Sequence, residues 1–225
     1  MKRLIIIVVS VVMTVGSISA QNIFFANKEG MKLYYANLNA KGKVDSYSLQ
    51  TIKKVEGSGD NMTIAYMSQV LDKNRKPTGS NPIEVSYTVV INNGVMEWDM
   101  KNFAAPGTEG FITFEGDKLR IPSSLAAGTK LDDVAFTLTL NMGIRITTQI
   151  MLTDMECVSV EDVTVPAGTF KCYKVTQQST ATVGRRSVIT HSITWYSPGI
   201  GTVKTENYND KNKLQTTTEL HALEN

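Results

Sequence analysis

The chain has 225 residues, 42% hydrophobic, 20% charged and 8% aromatic, the balance of a globular protein and not of a disordered one. Of its 23 Lys and Arg, Lys2 and Arg3 fall in a leader, so 23 − 2 = 21 basic groups face 21 Asp and Glu. That neutrality speaks against phosphate-driven nucleic-acid binding and docking on an anionic membrane, and two His and two Cys leave few metal ligands beyond carboxylates.

The first twenty residues read as an export signal. Lys2 and Arg3 form a basic start, Leu4 to Val15 is almost wholly apolar, and Gly16, Ser17, Ser19 and Ala20 precede Gln21. The alternative is a membrane anchor, but a run of about twelve residues is short for roughly 30 Å of hydrocarbon. No Cys lies near the cleavage point, and no other stretch approaches membrane-spanning length. The expectation is a signal peptide over 1–20 and a mature chain from about residue 21, exported to the periplasm or cell surface.

Beyond the leader the chain counts in twos. Asp72 to Pro82 is a polar surface loop. Val85, Tyr87, Val89 and Ile91 alternate with polar neighbours, the pattern of a strand with one buried face. Asn92-Asn93-Gly94 then predicts a tight type I′ hairpin, because Asn-Gly tolerates positive φ. The expectation is a single β-domain over 21–225, with a division near 104–110 (Ala-Ala-Pro-Gly-Thr-Glu-Gly) as the alternative. Glu115-Gly116-Asp117-Lys118 reads as a second hairpin, and Ser123 to Ala127 as one short helical turn.

Val134, Phe136, Leu138, Leu140 and Met142 share one strand face, and Ile144, Ile146, Thr148, Ile150 and Leu152 repeat it after Gly143. Cys157 and Cys172 flank a strand, a turn at Pro166-Ala167-Gly168, and a second strand. An oxidising compartment favours bridging them, and the loop closed would be worth about 3 kcal/mol; two buried free thiols are the alternative. Ile189, His191, Ile193 and Trp195 alternate with Thr190, Ser192 and Thr194. Ser197-Pro198-Gly199 and Tyr208 to Lys213 mark further turns. Eleven to thirteen strands at this spacing predict an all-β, antiparallel curved sheet or half-barrel with few short helices.

The reactive side chains form no recognisable constellation. His191 shares the apolar phase of its strand, so it is a polar group in a ligand cavity or a hydrogen-bonded core histidine. His221 lies near the C-terminus. Asp132-Asp133 and Glu161-Asp162 could do paired acid–base work, but Asp favours turns. No G-x-S-x-G or S-x-x-K occurs. No catalytic residue, cofactor or metal is therefore expected. Seven Met, among them Met142, Met151 and Met155, lie in or beside strands, where they fill a core or line an adaptable apolar surface.

Three stretches, in order, carry a resemblance: Leu119-Arg120-Ile121-Pro122-Ser123-Ser124-Leu125 with Gly128 to Asp132, then Val163-Thr164-Val165-Pro166-Ala167-Gly168-Thr169-Phe170-Lys171-Cys172, then Trp195-Tyr196-Ser197-Pro198-Gly199-Ile200-Gly201-Thr202-Val203-Lys204. Together they resemble the TapB-like group of exported β-proteins. That group is in turn similar to LolA/LolB-type half-barrels, which hold lipid in an apolar cavity. The resemblance implies a fold and supplies no catalytic residue. The functional expectation is a non-catalytic exported protein holding a lipid or other apolar molecule in its concavity. Phe136, Leu138, Leu140, Ile144, Ile146, Ile193 and Trp195 are the expected lining. The alternative is a structural or assembly module with a cell-envelope protein partner.

Overall fold

The computed structural model describes residues 22–78, 84–99 and 111–225. The expected leader, residues 1–20, and the alternative boundary at 104–110 lie outside the described residues.

The strands, in chain order, are β1 (Lys32–Asn39), β2 (Val44–Ser58), β3 (Asn61–Leu71), β4 (Glu84–Asn92), β5 (Val95–Trp98), β6 (Ile112–Gly116) and β7 (Leu119–Pro122). Then follow β8 (Val134–Asn141), β9 (Arg145–Val165), β10 (Gly168–Val183), β11 (Arg186–Ser197), β12 (Gly201–Asn209) and β13 (Leu214–Glu224). All thirteen belong to one sheet ordered β6-β8-β9-β10-β11-β12-β13-β1-β2-β3-β4-β5-β7, and its pairings are antiparallel. Two meanders, β8 to β13 and β1 to β5, are thus joined by β1 and β13, from Lys32 opposite Glu224 to Asn39 opposite Thr216.

Turn chemistry explains the hairpins. Asn93 and Gly94 both take positive φ, 49° and 73°, as the type I′ turn between β4 and β5 requires. The Glu115–Lys118 turn behaves differently from the expected hairpin. It joins β6 to β7, but β6 pairs with β8 and β7 with β5. These are the two outer strands of the sheet, separated in sequence by Asp117 and Lys118 alone. So short a link spans no more than about 10 Å. The sheet must therefore curl until its edges meet at this corner, although no ladder joins them. Turn residues report that a chain reverses; they do not report which strands then pair.

Directly paired residues share a face. The inner face carries the main core, including Leu33, Tyr35, Ile52, Ile64, Val89, Ile121, Val203 and Leu220. The segment before β1 fills it. Phe24 meets Tyr173 of β10 edge-on, with ring centres 4.9 Å apart, and Phe25 meets Tyr66 of β3 at 5.1 Å and Trp98 of β5 at 6.2 Å. One short segment therefore touches both meanders, which places this face inside the curl. Its backbone is pinned as well: the amide of Gly199 donates to the Ile23 carbonyl at 2.7 Å, and that of Ile52 to the Met31 carbonyl at 2.9 Å. A second cluster of Leu119, Val134, Leu152 and Met155 packs β7 against β8 and β9 from the other edge.

On the outer face, Ala36, Tyr47 and Leu71 form a small cluster beside the loop after β3. Arg75 of that loop lies over the Tyr47 ring, 5.1 Å from its centre, and its guanidinium donates to Nε2 of His221. Burial, then the Arg75 charge, hold the His221 pKa below its ordinary value against an opposing pull from Glu219. Unfolded chains take up this proton near pH 6.5, folded chains only below it. The contact's stabilisation is therefore complete above about pH 6.5 and is lost as pH falls. Lowering pH from 7 to 5 should depress the melting temperature more in wild type than in His221→Gln; parallel profiles would refute the contact's role.

Two expectations need correction. Ser123 to Ala127 forms no helix: the amide of Leu125 donates to Pro122 and that of Thr129 to Ala126, two separate turns. No helix occurs among the described residues. Cys157 and Cys172 are free and both fully buried, so the expected disulfide is absent. The register explains why. Cys157 lies opposite Val175 and Cys172 opposite Glu161, an offset of three residues along β10. At about 3.3 Å per residue that is roughly 10 Å, beyond disulfide reach.

Candidate functional site

The inner face does not end with the sealed core. Val134, Phe136, Leu138 and Leu140 of β8 point inward in succession, opposite Leu152, Ile150, Thr148 and Ile146 of β9. Phe114 and Ile112 of β6 flank Leu138 and Leu140 on the other side. Burial falls along this row. Val134 is 3% exposed, Phe136, Leu138 and Leu140 are half-buried, and Ile146 is 37% exposed. Val183 of β10 and Val188 of β11 extend the same face and are exposed. An apolar wall thus runs from the sealed core to open solvent.

The seven expected lining residues divide between places. Phe136, Leu138, Leu140 and Ile146 belong to this wall. Ile144 lies in the β8–β9 turn, 68% exposed, with its carbonyl accepting from the Met142 amide at 3.0 Å. Ile193 and Trp195 are on the outer face, because Trp195 pairs with Lys174 and Lys204. Of the inward positions of β11, Thr190, Ser192 and Thr194 are instead polar. Sequence reasoning missed Ile112, Phe114 and Ile150 as wall residues, although Ile150 shares the alternation that pointed to Ile146.

Several inward polar side chains pair with one another. The hydroxyls of Thr194 and Thr205 are 3.3 Å apart, Thr218 donates to Asn37 at 3.0 Å, and Asn37 to Ser46 at 3.2 Å. This ladder covers β11, β12, β13, β1 and β2. On these strands the inside of the curl therefore carries a polar ladder beside the buried core.

Trp195 is buried and fixed by charge. Its Nε1 donates to Glu161 Oε1 at 2.8 Å, and Lys174 and Lys204 lie over the ring at 5.4 and 5.2 Å. The Trp195 hydrogen bond, with help from Ser159 and Lys174, holds the Glu161 carboxyl below its ordinary pKa. Lys204 pairs with Glu206 at 2.6 Å, and the Tyr208 hydroxyl donates to Glu206 at 2.5 Å. That hydrogen bond pushes the Tyr208 pKa up to about 12.

Beside this chain of contacts an open groove of about 510 Å³ crosses β10 and β11. Thr176, Gln178, His191, Ile193 and Tyr208 line it, with Asp154 and Asn212 at its margins. His191 is half-buried and, among the described residues, hydrogen-bonded to no carboxylate or hydroxyl. Among the described residues no three His, Cys, Asp or Glu are placed to hold a metal.

Comparison with known proteins supplies a family and a fold. A family model described as DUF3108-like matches residues 28–220. No curated protein matches the chain. A solved Bacteroides fragilis chain, provisionally described as an exported protein with a YmcC-like fold, is 23% identical with a TM-score of 0.71, covering 91% of this chain and 100% of that one. A Parabacteroides distasonis chain, provisionally described as a lipoprotein, is 22% identical with a TM-score of 0.73, covering 90% and 99%.

Proposed function

The chain belongs to the DUF3108-like family, matched from just before β1 into β13, and on that premise we propose an exported, non-catalytic binding protein that holds a lipid or other apolar chain on the inner wall of β6, β8 and β9. It acts at the periplasm or cell surface, without a cofactor. The wall itself carries this reading: Phe136, Leu138, Leu140 and Ile146 continue the core inside the curl and stay partly open to solvent. Apolar area of this kind gains about 25 cal/mol per Å² when covered. Because Phe24 and Phe25 fill the narrow part of the curl, the ligand lies along the open wall and not in a sealed cavity. The descriptions of the two similar structures, one exported and one a lipoprotein, support the location, and the resemblance to LolA/LolB-type carriers supports the ligand class.

Solvent extraction and mass spectrometry of the purified protein should yield a co-purified lipid, and a fluorescent fatty acid should bind. Leu138→Asp, at a half-buried wall position, should weaken fatty-acid binding at least tenfold, about 1.4 kcal/mol, with little loss of melting temperature. Unchanged affinity in a folded Leu138→Asp protein would remove the proposal.

A second reading is an assembly module for an envelope protein. It is favoured by the β8–β9 tip, where Met142 is 72% and Ile144 68% exposed, with Phe111 at 58% next to β6. Here Met142→Ser with Ile144→Ser should abolish capture of the partner and leave fatty-acid binding intact.

A further inference from the structure

We propose that the outer groove across β10 and β11 is a second ligand site, one that takes a neutral saccharide. It lies on the opposite face of the sheet from the apolar wall and does not depend on the reading of that wall.

Hydrogen-bonding capacity carries the argument. Inside the curl several hydroxyls and amides pair with one another, as in Thr194 with Thr205 and Asn207 with Thr216 at 3.1 Å. In the groove, the side chains of Thr176, Gln178 and His191 are half-buried, yet none makes a hydrogen bond within the described protein. Half-buried polar groups left open in one hollow await a partner that both donates and accepts. A threonine hydroxyl and a glutamine amide each offer both roles, and the imidazole adds ring nitrogens to the same hollow. Sugar hydroxyls match that set.

Charge and shape narrow the class further. Two cations on the groove strands and their neighbour are already engaged: Lys204 with Glu206 at 2.6 Å and Lys174 with Glu161 at 3.8 Å, both over the Trp195 ring. Asp154 is the one charged side chain on the lining. The lining offers an anionic ligand a carboxylate and neither Lys nor Arg, so phosphates and sulfates are disfavoured. The Tyr208 ring and Ile193 add apolar surface for the C–H face of a pyranose. The Tyr208 hydroxyl is tied to Glu206 and Glu206 to Lys204, so the ring is held in place before any ligand arrives. Such preorganisation reduces the ordering needed on binding. A hollow of about 510 Å³ is within the ordinary range of small-molecule sites.

The test is an NMR titration of the isotope-labelled protein with maltose, cellobiose and diacetylchitobiose, and with sodium phosphate and laurate as contrasts. At least one disaccharide should give saturable shifts confined to the groove strands, with millimolar affinity. Gln178→Ala should weaken that binding at least fivefold, and because the Gln178 side chain makes no hydrogen bond among the described residues its loss should leave the melting temperature unchanged. Tyr208→Ala should weaken it as much or more, whereas Leu138→Asp on the other face should not affect it. The proposal is overturned if no disaccharide gives saturable shifts there, if the shifts survive both groove substitutions, or if phosphate or laurate occupies the groove instead.

Discussion

Replacing Phe24 with alanine should destabilise the protein by about 3–5 kcal/mol, the range seen when a fully buried aromatic is truncated. Phe24 is 1% exposed and is edge-on to both Tyr173 and Tyr196, at 4.9 and 6.5 Å. No strand ladder holds its segment. Its grip comes from packed rings and from single backbone bonds such as that from Gly199 to Ile23. Truncation leaves a cavity lined by rings that belong to long paired strands and cannot collapse into it. Urea unfolding followed by tryptophan fluorescence measures the loss directly. Phe25→Ala should act through the other meander, since Phe25 meets Tyr66 and Trp98. A change below about 1 kcal/mol for Phe24→Ala would show that the segment is loosely seated and that the sheet alone sets the stability.

Gly116→Ala should be comparably damaging for a different reason. Gly116 takes a φ of 136°, where side-chain-bearing residues are strained. A methyl group there would lie 2.4 Å from the Ala135 carbonyl oxygen and 2.6 Å from Cα of Phe136. Backbone would have to move, and it is the backbone of the corner. The Asp117 amide donates to the Ala135 carbonyl at 2.9 Å, and the Ala135 amide donates back to the Asp117 carboxylate at 3.1 Å. The expected loss is on the order of 3 kcal/mol or more. Hydrogen exchange gives the sharper readout. Protection should fall in β6 and β7 together, at opposite edges of the sheet, because this link alone joins them along the chain. Faster exchange restricted to β6 would mean that the corner does not couple the edges.

Much of this architecture was legible in two-residue periodicity. Val85 to Ile91, Val134 to Leu140 and Ile146 to Leu152 each form the strands their alternation predicts, with the apolar phase inward. The Asn92-Asn93-Gly94 turn was legible too, because positive φ has few tolerant residues. What parity cannot reveal is which face becomes the inside. In β11 the apolar phase, Ile189 to Trp195, points outward, and the polar phase joins a ladder of threonines and asparagines within the curl. A buried face made of mutually satisfied hydroxyls has no hydrophobic signature, so Trp195 and Ile193 looked like partners of Phe136. The cysteines show the same limit. Redox compartment and spacing argued for a bridge, but register decides reach, and bulges in β9 are invisible in a string of residues. The outer groove was legible only as His191 in an apolar phase. Its other lining groups lie on β10 and β12, and only pairing brings them alongside.

The pairing of β1 with β13 has a bearing on how the molecule is made. These strands open and close the described sheet in sequence yet lie side by side in its middle. During synthesis, each meander can zip by itself, hairpin after hairpin. The central seam must wait for residues 214–224. Until then β1 and β12 present raw edges, the kind that recruit stray strands, and a holding chaperone would be most valuable in that interval.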